Sequence, residues 1–150
     1  MGEQSGAGGS PVRSIAEAAR RDGIVVAQML IVDDIDRSVR FYRDVLGATL
    51  VREQPPTMLQ FQNAWLILNI GGGPTPDKPD VTVAPPSDLN LVSSFLNIRV
   101  ADINSVYREW SQRGAHFLTE PLNNHGAEIR CYLRDPDSYL IEVGQTIARS

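Results

Sequence analysis

Cysteine is almost missing from this chain: Cys131 is the single one in 150 residues. No disulfide can therefore form within it, which fits a reducing cytoplasm, and that is where we expect the protein to work. Histidine is nearly as scarce, with two residues, which leaves little choice for imidazole-rich metal sites. No apolar run approaches the roughly 20 residues a membrane span requires. Met1–Ser10 is rich in Gly, Ser and Gln and lacks the apolar core of a signal peptide. A long basic run is absent too, and the net charge is −4, so nucleic acid is a poor partner. Gly71-Gly72-Gly73 is not followed by Lys-Ser/Thr and so is no phosphate loop. What remains is an ordinary globular composition, 42% hydrophobic and 21% charged.

The order of elements carries the strongest signal. Residues 1–22 read as a flexible N-terminal tail, in which Val12–Arg21 could form a short helix. Ile24–Val32 is rich in β-branched residues and reads as a strand. Asp36 is the expected N-cap of a helix to Leu46, with Val39, Tyr42, Val45 and Leu46 on its apolar face and Gly47 at its C-terminal cap. Strands follow at Ala48–Arg52, Met58–Phe61 and Trp65–Ile70. The Gly/Pro-rich stretch 71–86 reads as a linker, with a short edge strand at Val81–Ala84. Then the pattern restarts: a strand at Phe95–Val100, a helix from Asp102 or Asn104 to Gly114, and strands at Ala115–Thr119, Glu128–Leu133 and Tyr139–Val143. The letters repeat as well. Val32-Asp33-Asp34-Ile35-Asp36 lies over Val100-Ala101-Asp102-Ile103-Asn104, and Gly47-Ala48 lies over Gly114-Ala115. One copy cannot bury both faces of its sheet, so two should pair.

A βαβββ unit used twice resembles the vicinal oxygen chelate superfamily of glyoxalases, bleomycin-resistance proteins and dioxygenases. Val32–Ser38, Phe41-Tyr42 and Val45-Leu46-Gly47 look like its first strand–helix signature, and Asp135–Glu142 looks like its last hairpin. The resemblance implies an α+β fold in which two tandem modules, about 24–70 and 95–145 of a single domain over 23–146, form a cupped mixed sheet around one cavity. It also implies a homodimer. In enzymes of this family four strand positions hold a divalent metal. The resemblance puts them at Ala27, Leu68 (or Asn69), Phe95 and Glu142; Gln28, beside Ala27, should point to the other face. Only Glu142 is a good ligand, and one carboxylate does not make a transition-metal site. No metal or other cofactor is therefore expected, with an unorthodox set of His125, Glu128 and Glu142 as the competing arrangement.

Alternation along the strands assigns the cavity-facing side chains. Phe95, Asn97, Arg99, Glu128, Arg130, Tyr132, Leu140 and Glu142 come from the second module, and Ala27, Met29 and Ile31 from the first. A polar cluster opposite an apolar wall suits a pocket for a small organic ligand. Equally, Arg99, Arg130, Glu128 and Glu142 could be ion pairs closing the cup. Cys131, Trp65 and Trp110 are expected in the core. The leading reading is a small-molecule-binding protein with Asn97, Arg99, Glu128, Arg130, Tyr132, Glu142, Met29 and Phe95 at its site. The competing one is a lyase, isomerase or dioxygenase that uses Glu142 as general base or metal ligand, with Arg99 or Arg130 on a developing oxyanion and His125 as a second acid or base.

Overall fold

A computed structural model describes residues 14–147. Each module opens with a strand, and an aspartate two or three residues beyond it starts a helix. After strand β1 (Ala27–Val32), Asp34 caps helix α2 (Ile35–Arg40) by accepting the Arg37 N–H at 3.1 Å. Asp36, the expected cap, falls inside the first turn. After strand β5 (Leu96–Arg99), Asp102 caps helix α3 (Ile103–Gln112) through the Ser105 N–H at 3.2 Å. The two caps occupy the same place in the repeat. α2 continues as one π turn, Phe41–Val45, and the chain leaves both helices through a glycine at positive φ, Gly47 at 91° and Gly114 at 109°.

The strands form two four-stranded mixed sheets. In the first, β1 runs parallel to β4 (Ala64–Ile70), which is antiparallel to β3 (Thr57–Phe61), which is antiparallel to β2 (Thr49–Arg52). In the second, β5 runs parallel to β8 (Leu140–Thr146), followed by antiparallel β7 (Glu128–Arg134) and β6 (Leu122–Asn124). β1 and β5 are thus edge strands of their sheets.

Two expected strands shrink to single bridges. Val81–Ala84 contributes only Gly72–Val83, because Pro79, Pro85 and Pro86 cannot donate to a ladder. Ala115–Thr119 contributes only Phe117–Leu133. There Pro121 interrupts the run, and the β-ladder resumes as β6, which closes a tight hairpin onto β7 through His125 and Gly126, at φ 57° and 78°.

The helix-facing sides of both sheets share one core. Leu30, Val32, Leu59, Leu66 and Leu68 from the first meet Cys131, Leu133, Ile141 and Val143 from the second, with Tyr42, Ile103 and Trp110 between them. The opposite side of each sheet looks away from this core. Part of the expected tail forms helix α1 (Ile15–Asp22), capped by Ser14; residues 1–13 lie outside the described residues. Trp65 pairs in register with Gln60 and Ala27, on the side away from the core, where it lines a crevice with Ala18, Arg21 and Asp22 of α1. It is buried, as expected, but outside the shared core. No described helix is long and apolar enough to cross a membrane.

Candidate functional site

Strand register sets the geometry of the second sheet's outward face. Asn97 and Tyr132 both stand beside Glu142, Arg99 and Arg130 both stand beside Gly144, and Glu128 stands beside Thr146. Paired residues project to the same side, so Asn97, Arg99, Glu128, Arg130, Tyr132 and Glu142 share one face, as alternation predicts. On it, Arg99 meets Glu128 at 2.9 Å and Glu142 at 3.4 Å, and donates to Thr146 Oγ1 at 3.1 Å. Tyr132 donates its hydroxyl to Glu142 Oε1 at 3.0 Å. Arg130 meets Glu128 at 3.4 Å and lies 5.9 Å from the Tyr132 ring centre. Glu142 is buried at 6% exposure, whereas Asn97 and Arg99 are open to solvent.

Gly144 is what lets Arg99 lie flat. A Cβ there would fall on the guanidinium, 2.7 Å from its Cζ. Neither Gly144 nor Thr146 was expected at the site. Register with Arg99 and Arg130 was the missing signal, and it cannot be read before the strand pairing is known. The Arg99 guanidinium holds the Glu128 carboxyl below its ordinary range. Burial first, and then the bond to Glu142, pushes the Tyr132 hydroxyl up. As one network the face offers a guanidinium already neutralised by two carboxylates, a second at its rim, and a phenol committed to a carboxylate.

The family's metal does not fit these residues. Ala27 and Phe95 hold the two first-strand places. On the last strands, Glu142 stands beside Asn97 as Ile67 stands beside Met29. Leu68 points into the shared core at 0% exposure, so register gives its expected place to Ile67, which also has no donor atom. Asn69 faces outward and uses its Oδ1 on the Ile70 N–H. The carboxylate oxygens of Glu142 face Tyr132 and Arg99. His125 sits exposed in the β6–β7 turn. Among the described residues no group of three or more His, Cys, Asp or Glu is placed to hold a metal ion.

The first module's share is apolar. Met29 is half-exposed and Ile31 buried, while Gln28 pairs with Leu66 on the helix side, away from Met29. Phe95 stands at a boundary. Its ring lies edge-on to Tyr132, 6.2 Å away, and also lines an apolar cavity with Leu140.

Sequence reading missed the contacts that tie the modules together. Asp135 accepts the Tyr42 hydroxyl at 2.6 Å. Asp137 accepts the Asp33 N–H and the Arg37 guanidinium at 2.9 and 3.0 Å, and the Ser38 hydroxyl at 3.3 Å. The Tyr139 hydroxyl donates to the Ile31 carbonyl at 2.9 Å and accepts the Ile31 N–H at 3.1 Å. All three residues lie in the hairpin text that carries the family resemblance.

The comparisons agree with the geometry. The sequence model of the "Glyoxalase/Bleomycin resistance protein/Dioxygenase superfamily" matches residues 24–143. The chain belongs to this superfamily. It is 28% identical to a probable lactoylglutathione lyase of Synechocystis, covering 81% of this chain and 94% of the relative. A glyoxalase/bleomycin resistance protein/dioxygenase from Nocardioides has the same fold at TM-score 0.67 and 18% identity, over 91% of this chain and 96% of that one. TnmS3, an antibiotic binding protein from Streptomyces, superposes at TM-score 0.57 and 20% identity, over 82% and 97%. Fold and repeat are thus what the sequence led us to expect.

Proposed function

We propose that this superfamily member binds a small organic molecule on the outward face of β5, β7 and β8, without the divalent metal its enzymatic relatives use. The observation that carries the reading is the state of Glu142. It is the one family ligand position filled by a metal-binding residue, and its carboxylate is already held by Arg99 and Tyr132. The exposed Asn97 and the half-buried Arg130 supply hydrogen bonds to the ligand, and Phe95 and Met29 supply apolar contact. The antibiotic-binding neighbour is an example of binding on this fold, although at its identity it speaks for the fold alone.

We also propose a homodimer. β1 and β5 are edge strands, and Ile24, Val26, Met29 and Phe95 leave large apolar surface exposed near them. Sedimentation should show a dimer at micromolar protein. A monomer at all concentrations would remove this part of the proposal without touching the ligand site.

The test of the metal-free reading is metal content by mass spectrometry, before and after incubation with zinc, nickel, cobalt, manganese and ferrous iron. Below about a tenth of an equivalent is expected throughout. Near one equivalent, lost in Glu142→Gln, would overturn it. The relative named as a lyase favours a second reading, in which Glu142 acts as a general base on a bound substrate. Turnover abolished by Glu142→Gln, with ligand affinity kept, would establish that reading over simple binding.

A further inference from the structure

A cavity of about 290 Å3 opens between the two modules, behind the polar face, and touches the site proposed above at Phe95. Its floor is Leu30 and Ile141, buried at 3% and 0% exposure, with Tyr42 beside them. Its outer wall is the segment just before β5, through Leu89, Leu91, Val92, Ser93 and Ser94. Leu96 and Ile141 face it, whereas their strand neighbours Asn97 and Glu142 face the polar cluster; Phe95 and Leu140, from the polar side, reach the cavity where the two sites meet.

Its lining has an unusual property for a protein with 21% charged residues. Not one Asp, Glu, Lys, Arg or His lines it. The polar groups at hand are neutral: the Ser93, Ser94 and Ser138 hydroxyls, the Tyr42 and Tyr139 hydroxyls, which are committed to Asp135 and Ile31, and the Gln28 carboxamide, whose amide reaches the adjacent Met29 carbonyl at 3.5 Å. Apolar walls with a few neutral hydrogen-bonding groups at the mouth select an uncharged ligand, because a charge inside would be desolvated without a partner. The volume matches a small organic molecule and is short of what a helix or strand would need.

We propose that this cavity is a second binding site, for an uncharged, largely apolar small molecule carrying one or two neutral hydrogen-bonding groups. The outer wall is the part of the site that a ligand covers, since it contributes the exposed side chains of Leu89, Leu91 and Val92. The site shares Phe95 with the polar face and none of that face's charged residues.

The test uses the full chain and N-phenyl-1-naphthylamine, an uncharged fluorophore that brightens in apolar surroundings. Saturable binding near one probe per chain is expected. Leu91→Asp and Ser94→Trp change exposed wall positions that the fold does not need; circular dichroism should show both folded, with probe affinity down by roughly tenfold or more. Arg99→Ala, on the other face, should leave the probe's affinity within about twofold, so a failure of the polar-face reading would not register here. Non-saturable binding to the wild type would overturn the proposal, as would wild-type affinity in both wall variants. So would probe stoichiometry that falls as dimer forms in sedimentation, which would assign the cavity to a second copy of the chain.

Discussion

Arg99 is the hinge of the polar face at the scale of single residues, and it lies flat only because residue 144 has no side chain. In Gly144→Ala the obstructed atoms belong to the far end of a flexible arginine, so the arginine should swing out to solvent instead of straining the strand. We expect a melting temperature close to wild type and a clear loss of ligand affinity, read by calorimetric titration against the ligand a screen returns. A large fall in melting temperature would show that the network is structural first. Glu142→Gln should lower the Tyr132 midpoint part of the way toward 10.0, because burial, its largest cause, remains. Ultraviolet titration of the wild type against Glu142→Gln and Tyr132→Phe reads this. Cys131 is buried and its thiol is pushed up to about 11 by burial. It should resist a disulfide reagent at pH 8 in the native protein and react fully in denaturant; rapid native labelling would contradict its place in the core.

At the scale of elements, the first prediction concerns α1, which stands beside Trp65 on the first sheet's outward face. Ala18 is 2% exposed, so Ala18→Glu should lift the helix and shift tryptophan emission to the red, with the near-ultraviolet dichroism of the core preserved. An unchanged spectrum would mean that Trp65 is buried without α1. How far these elements could be read from sequence follows from the same physics. The repeat placed two βα units, and register-free alternation along β5, β7 and β8 was enough to name the polar face. Lengths and edges were harder. Asp36 was read as the cap because it precedes an apolar run; the equivalence of Asp34 with Asp102 in the repeat is the signal that points to Asp34. β6 was missed because Leu122–Asn124 has no strand-like composition and owes its state to pairing with β7. Ile67 and Leu68 are interchangeable in an apolar run until pairing with Met29 tells them apart. Gly144 and Asp137 were invisible for a related reason, since what they do depends on residues from another strand or the other module.

For the molecule as a whole, the shared core and the Asp135–Tyr139 contacts lead us to expect that the modules unfold as one unit. Asp137→Ala leaves the part-buried Asp33 N–H and the buried Ser38 hydroxyl without their acceptor and the half-exposed Arg37 guanidinium without its counter-ion, a loss of about 1–3 kcal/mol. Urea unfolding should lose that stability and still show one transition, seen alike by tryptophan emission and far-ultraviolet dichroism. Two transitions would mean the modules fold apart. Acid should act on the whole through two carboxyls with opposite signs. Glu128 is held below 4.5 in the folded state, so its contribution is present above that value and is lost as pH falls through its folded pKa. Asp135 is raised by burial despite its bond to Tyr42, so its folded state favours the proton, and ionising it as pH rises opposes folding. Glu128→Gln should therefore flatten the acid limb of the stability profile, and Asp135→Asn should steepen it.

The Tyr139 hydroxyl occupies both backbone groups of Ile31 on the open edge of β1. A side chain from the far module thus imitates one rung of a β-ladder. An incoming strand, whether from another copy or a stray peptide, meets a stopper at that rung and can add only alongside Ala27–Leu30. One phenol thereby fixes the frame in which the edge can be read, and it denies an aggregating chain the length of strand it would need to grow.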